Sequence, residues 1–101
     1  MIKVDVFYPV TKTFDWDYYL AKHMPMVKAQ LGAALKKAEV EAGIGGGGPG
    51  APATYGAICQ LHFDSVEAFQ KAFAPHADEI MGDIKNYTDV QPVVQISEVR
   101  M

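Results

Sequence analysis

The run Ile2-Lys3-Val4-Asp5-Val6-Phe7-Tyr8 alternates strictly, with Ile2, Val4, Val6 and Tyr8 on one face and Lys3, Asp5 and Phe7 on the other. Period two with β-branched residues predicts a half-buried strand, which Pro9 ends because it offers no ladder N–H. Asp15 then reads as a helix N-cap, and Phe14 before it as a staple onto Tyr19. Tyr19, Leu20, His23, Met24, Val27 and Leu31 recur at helical spacing. Pro25 interrupts that helix. It lacks an N–H and its ring collides with the carbonyl four residues back, so a kink or restart is expected at His23-Met24-Pro25.

A second alternation sets Ala38, Val40, Ala42 and Ile44 against Lys37, Glu39, Glu41 and Gly43. Residues 45–53, rich in glycine and proline, read as a flexible loop. A third strand is expected over 55–63, with Ala57, Cys59, Leu61 and Phe63 facing one way and Ile58, Gln60 and His62 the other. Asp64 with Glu67 resembles a capping box opening a helix through Phe69 and Phe73. Pro75 then starts a continuation carrying Ile80, Met81 and Ile84. After the turn-like Asn86-Tyr87-Thr88-Asp89, a fourth strand over 93–99 sets Val94 and Ile96 against Gln95 and Ser97. The order β-α-β-β-α-β in a single domain over 1–101 predicts an α+β, ferredoxin-like fold. Its four-stranded antiparallel sheet carries both helices on one face.

Two helices cover only one side of such a sheet. The other side would carry Asp5, Phe7, Glu39, Glu41, Ile58, Gln60, His62, Gln95, Ser97 and Val99. That mixture is too polar for a dry core, yet Phe7 and Ile58 are odd on a freely solvated surface. Two readings stay open: an exposed face with scattered apolar residues, or a lumen closed by two copies packed sheet against sheet.

Composition removes several function classes. Nine Lys+Arg against twelve Asp+Glu give a net charge of −3, and the only adjacent basic pair, Lys36-Lys37, is followed by Glu39 and Glu41. No nucleic-acid partner is expected, because such partners demand a basic stripe. No apolar run approaches the ~18–20 residues of a membrane span. The N-terminus lacks the apolar stretch of a signal peptide, and the lone Cys59 permits no internal disulfide, so a cytoplasmic location is expected. His23, His62 and His76 lack ligand spacing, and neither a metal nor another cofactor is expected. The glycine loop runs into Ala53-Thr54-Tyr55 and a strand, unlike a phosphate-binding loop that opens a helix.

Among the candidate residues, His23 has two open roles. It is a general acid/base, since imidazole titrates near neutral pH, or a structural ring that bonds the Ala21 carbonyl Pro25 leaves without a donor or caps a neighbouring turn. Asp83, with Asn86 and Thr88, reads from the residues alone as helix-end and turn chemistry. Gln60 and His62 alternate onto the open sheet face with Asp5 and Glu39, where they either orient a ligand or form cross-strand pairs in water. Cys59 lies on the apolar face of its strand and reads as a buried, inert thiol.

The stretch Tyr18-Tyr19-Leu20-Ala21-Lys22-His23-Met24-Pro25-Met26-Val27 resembles the signature of the EthD family, named for ethyl tert-butyl ether degradation. Similar stretches follow in order: Phe63-Asp64-Ser65-Val66-Glu67-Ala68-Phe69, Met81 to Asp89, and Pro92 to Val99. Lys85 stands where many relatives carry proline, and Met26 where leucine is commoner. The resemblance implies a homodimeric α+β barrel that binds a small, largely apolar organic molecule between the first helix and the open sheet face. The implied catalytic pair is His23 and Asp83, with Phe7, Tyr19, Met26, Ile58, Gln60, His62 and Asn86 as the ligand-binding set. It further implies acid/base or oxidoreductase-associated chemistry in oxidative degradation, beside an oxygenase system. Other classes remain: a non-catalytic accessory protein for a separate oxygenase, or a small cyclase, isomerase or lyase using His23.

Overall fold

Each of the four alternating runs becomes a strand: β1 Ile2–Pro9, β2 Lys37–Ala42, β3 Tyr55–Phe63 and β4 Val93–Glu98. The computed structural model describes all residues from Met1 to Met101. The strands form one antiparallel sheet in the order β2-β3-β1-β4. Its register explains the alternation. Val4 pairs with Leu61 and Ile96 and Val6 with Cys59 and Val94, so the apolar sets align on one face. Asp5 pairs with Gln60 and Gln95 on the other face. Pro9 is the last residue of β1, as expected, and stands opposite Tyr55 across a register shift.

The Asp15 carboxylate accepts the Tyr18 N–H at 3.0 Å, capping α1 Trp16–Tyr18 as expected. The Phe14 and Tyr19 rings meet at 5.0 Å. From there the helix passes through a π turn, Tyr19–His23, into α2 Met24–Leu31. The interruption expected at Pro25 thus takes the form of a widened turn. Met24 N–H reaches the Tyr19 carbonyl, five residues back, just before the proline that could not have closed an α-helical bond. Gly32, at φ 60°, ends α2 in the region that favours glycine.

The second helical segment starts one residue later than its capping box suggests. Ser65, not Asp64, is the cap: its hydroxyl accepts the Ala68 N–H at 3.1 Å and opens α3 Val66–Phe73. Asp64 lies too early to reach those amides and stands instead 3.7 Å from the Lys36 ammonium. A 3₁₀ turn with Pro75, Ala74–His76, leads into α4 Ala77–Gly82. Ser65→Ala is expected to cost about 1 kcal/mol, read as a lower urea midpoint with an unchanged slope.

The core lies between the helices and the β1–β3 centre of the sheet, with Tyr19, Phe63 and Tyr87 almost inaccessible. The helix layer stops short of β4, where Val94 and Ile96 remain 48% and 42% exposed on the helix-side face. No helix is long and apolar enough to cross a membrane.

Candidate functional site

The π turn brings Tyr19 and His23 inward together, their rings stacked at 5.4 Å and 18°. His23 is only 4% exposed. Its Nδ1 lies 2.9 Å from Asp83 Oδ2, at the end of α4. The ring therefore bonds a carboxylate, and the reading of His23 as a ring tied to a freed helix carbonyl gives way. Asp83 Oδ1 accepts the Tyr18 hydroxyl at 2.6 Å and the Asn86 amide at 2.8 Å. Three donors thus converge on one carboxylate.

These contacts fix the charge states. Burial lowers the His23 pKa below its ordinary value, opposed by the bond and charge of Asp83. Burial works to raise Asp83, but the hydrogen bonds from Tyr18, Asn86 and His23 together hold it below the usual carboxylate range. At neutral pH the pair is a neutral imidazole beside an ionised carboxylate. Because a carboxylate only accepts, Nδ1 carries the proton and Nε2 keeps its lone pair. Tyr87 Oη lies 3.5 Å from Nε2 and 2.7 Å from Tyr8 Oη.

His23 stands in the wall of a partly open cavity of about 230 Å³ between the sheet and the helices. Val4, Val6 and Leu61 form its floor, while Val27, Phe69, Phe73 and Ile80 close it from the helix side. The polar side chains in its lining are Tyr8, Tyr19, His23 and Cys59. Burial pushes the Cys59 thiol up to about 11, and its Sγ lies 4.0 Å from Met24 Sδ, so it is a protonated part of the wall. A shallow outer cleft, lined by Tyr18, Lys22, Met26, Asp83 and Asn86, lies beyond the dyad. His23 and Asp83 therefore form a partition, one facing the cavity and the other the surface. No three His, Cys, Asp or Glu side chains converge to hold a metal ion.

A family model for the EthD domain matches residues 8–91. The chain belongs to the EthD family. An EthD-like protein from Ralstonia eutropha JMP134 is 51% identical, with a TM-score of 0.91 over 99% of this chain and 92% of that one. An ethyl tert-butyl ether degradation (EthD) family protein from Bacillus halodurans C-125 is 20% identical, with a TM-score of 0.75 over 99% of both chains, and shares the fold. No protein of curated function matches.

In this EthD chain the residues singled out from sequence fall into three groups. Tyr19 and His23 line the cavity. Asp83, Asn86 and Met26 lie on the outer cleft. Phe7, Ile58, Gln60 and His62 sit on the open face, with the whole sheet between them and the dyad. There Gln60 donates to Glu41 Oε1 at 3.0 Å, His62 Nε2 approaches Glu39 at 3.6 Å, and Phe7 rests on Tyr55 at 5.0 Å. The cavity is thus on the helix-covered face, because the valines facing the helices do not fill the space beneath them.

Sequence reasoning assigned no role to Tyr8, Tyr18 or Tyr87. A signal existed for Tyr8, which alternates onto the apolar face with Val4 and Val6. A phenol buried there needs a partner for its hydroxyl.

Proposed function

We propose that this EthD protein binds a small, largely apolar organic molecule in the cavity and that His23 moves a proton on it. The observation that carries this reading is a buried neutral imidazole in the wall of a largely apolar cavity, its Nδ1 committed to Asp83. A positioned base of this kind contributes about 10²–10⁴-fold to a proton transfer. The cavity suits ligands of ring size, since an apolar void of about 150 Å³ already admits benzene in another protein. In oxidative degradation, a separate oxygenase system would supply the electron chemistry and this chain the proton chemistry.

The assembly proposed with it is a homodimer. Its support is the bare apolar helix-side surface of β4, where Val94 and Ile96 are each more than two-fifths exposed. Val94 also lines the cavity, so a copy seated on β4 would close that flank.

The test is binding of single-ring aromatics and branched ethers, followed by calorimetry and methyl NMR of Met24. At least one class is expected to bind, and Val6→Phe, which fills the floor, is expected to weaken it tenfold or more. Equal binding to the filled variant, or no binding by any class, would overturn the reading.

A further inference from the structure

We infer that the Tyr8 and Tyr87 hydroxyls form a proton relay between the cavity and His23, and that the ligand carries a single hydroxyl or enol oxygen seated on Tyr8. This rests on the cavity being the binding site.

The geometry gives an unbroken line of polar atoms through an apolar core. Tyr8 lines the cavity and is 3% exposed, while Tyr87, at 1%, lies behind it against Phe14 and Tyr19. Their hydroxyls are 2.7 Å apart, and Tyr87 Oη continues to His23 Nε2 at 3.5 Å. Beyond the ring, Nδ1 meets Asp83, whose other oxygen holds the Tyr18 hydroxyl at the surface cleft. Nε2 bears no hydrogen, so the chain can order in one direction: Tyr87 donates to Nε2 and Tyr8 donates to Tyr87. The Tyr8 oxygen then keeps one lone pair, which the Tyr19 hydroxyl also approaches, and both rings line the cavity. A bound hydroxyl would complete the series as its first donor.

Proton movement along this line balances without any other reactant. The ligand O–H bond breaks and its proton passes to the Tyr8 oxygen. Tyr8 gives its own proton to Tyr87, and Tyr87 gives its proton to Nε2. The products are a ligand oxyanion held by the Tyr8 hydroxyl and an imidazolium beside the Asp83 carboxylate. Both tyrosines end as they began, neutral, which suits side chains whose ionisation burial opposes. Run backwards, the same line delivers a proton to an enolate oxygen. Tyr8 is then the residue that touches the ligand, and Tyr87 positions and conducts.

Two probes of nearly equal shape test this: p-cresol, which has the hydroxyl, and p-xylene, which replaces it with methyl. Tyr8→Phe is expected to weaken p-cresol about tenfold and p-xylene less than about twofold. Retained p-xylene binding shows that the variant is folded. In the unsubstituted protein, p-cresol is expected to shift the His23 Nε2 nitrogen resonance, p-xylene is not, and Tyr87→Phe should remove the shift. The relay is overturned if Tyr8→Phe affects both probes alike or neither, or if p-cresol leaves Nε2 unmoved. With p-xylene bound but no p-cresol effect, the cavity reading survives and only the relay fails. With neither probe bound to the unsubstituted protein, both fail together.

Discussion

A Phe63→Ala chain is expected to lose about 3–5 kcal/mol of stability. Phe63 closes β3 opposite Ile2, is 0% exposed, and meets the Phe69 ring edge-on at 5.1 Å. Deleting the ring removes its transfer energy and leaves a void that the sheet on one side and α3 on the other resist collapsing into. A domain of this length has roughly 5–15 kcal/mol in all, so the loss takes a large share of it. Guanidinium unfolding followed by circular dichroism reads it directly, with the midpoint falling and the slope unchanged. Phe73→Ala supplies the contrast. Phe73 is half-buried and already borders the cavity, so its removal enlarges an existing void and is expected to cost less than half as much. A loss below about 1 kcal/mol for Phe63→Ala would show that the site collapses freely and that this end of the core is not close-packed.

The strands were legible because each has one covered face, and period two records which side is dry. Alternation reports polarity, though, and not volume. Val4, Val6 and Val94 look like filled core in the sequence, yet they floor a cavity, because whether small residues meet the helices depends on how far those helices stand off. Four of the seven expected ligand residues, Phe7, Ile58, Gln60 and His62, accordingly lie on the face whose composition is mixed, while Tyr19, Met26 and Asn86 lie at the cavity and the outer cleft. The dyad was legible only through the family resemblance. His23 and Asp83 are 60 residues apart, and no spacing rule joins them. Tyr8 and Tyr87, 79 apart, meet because β1 is central and the segment after α4 folds back over the first helix, where Asp15 N–H bonds the Tyr87 carbonyl at 2.7 Å. Asp64 and Ser65 are equally good caps by residue type. The backbone chose the one standing in extended conformation, at φ −156°, immediately before the first helical residue.

Replacing Asp83 by asparagine is expected to leave the fold and disable the base. The carboxylate is what fixes the proton on Nδ1. An asparagine amide can instead donate to Nδ1, which moves the ring N–H to Nε2 and removes the lone pair that faces Tyr87. Any turnover through Nε2 is expected to fall by about 10²–10⁴. Titration changes in a defined direction as well. In the native protein burial lowers the His23 pKa and Asp83 partly restores it; without the charge, burial acts alone and His23 titrates lower still. A group whose folded pKa is depressed supplies stability above its unfolded pKa and loses it as pH falls through the folded value. The unsubstituted protein therefore loses stability in two stages on acidification, the His23 stage beginning near its unfolded value of 6.5 and the Asp83 stage below 3.8. In Asp83→Asn the second stage shrinks to what Asp89, held low by Thr13 and Thr11, still contributes, and the first becomes larger. Nitrogen NMR of the imidazole across pH 4–8, with denaturation at several pH values, follows both. A His23 pKa that rises or stays fixed in Asp83→Asn would show that the carboxylate does not govern the ring, and the dyad would lose its role.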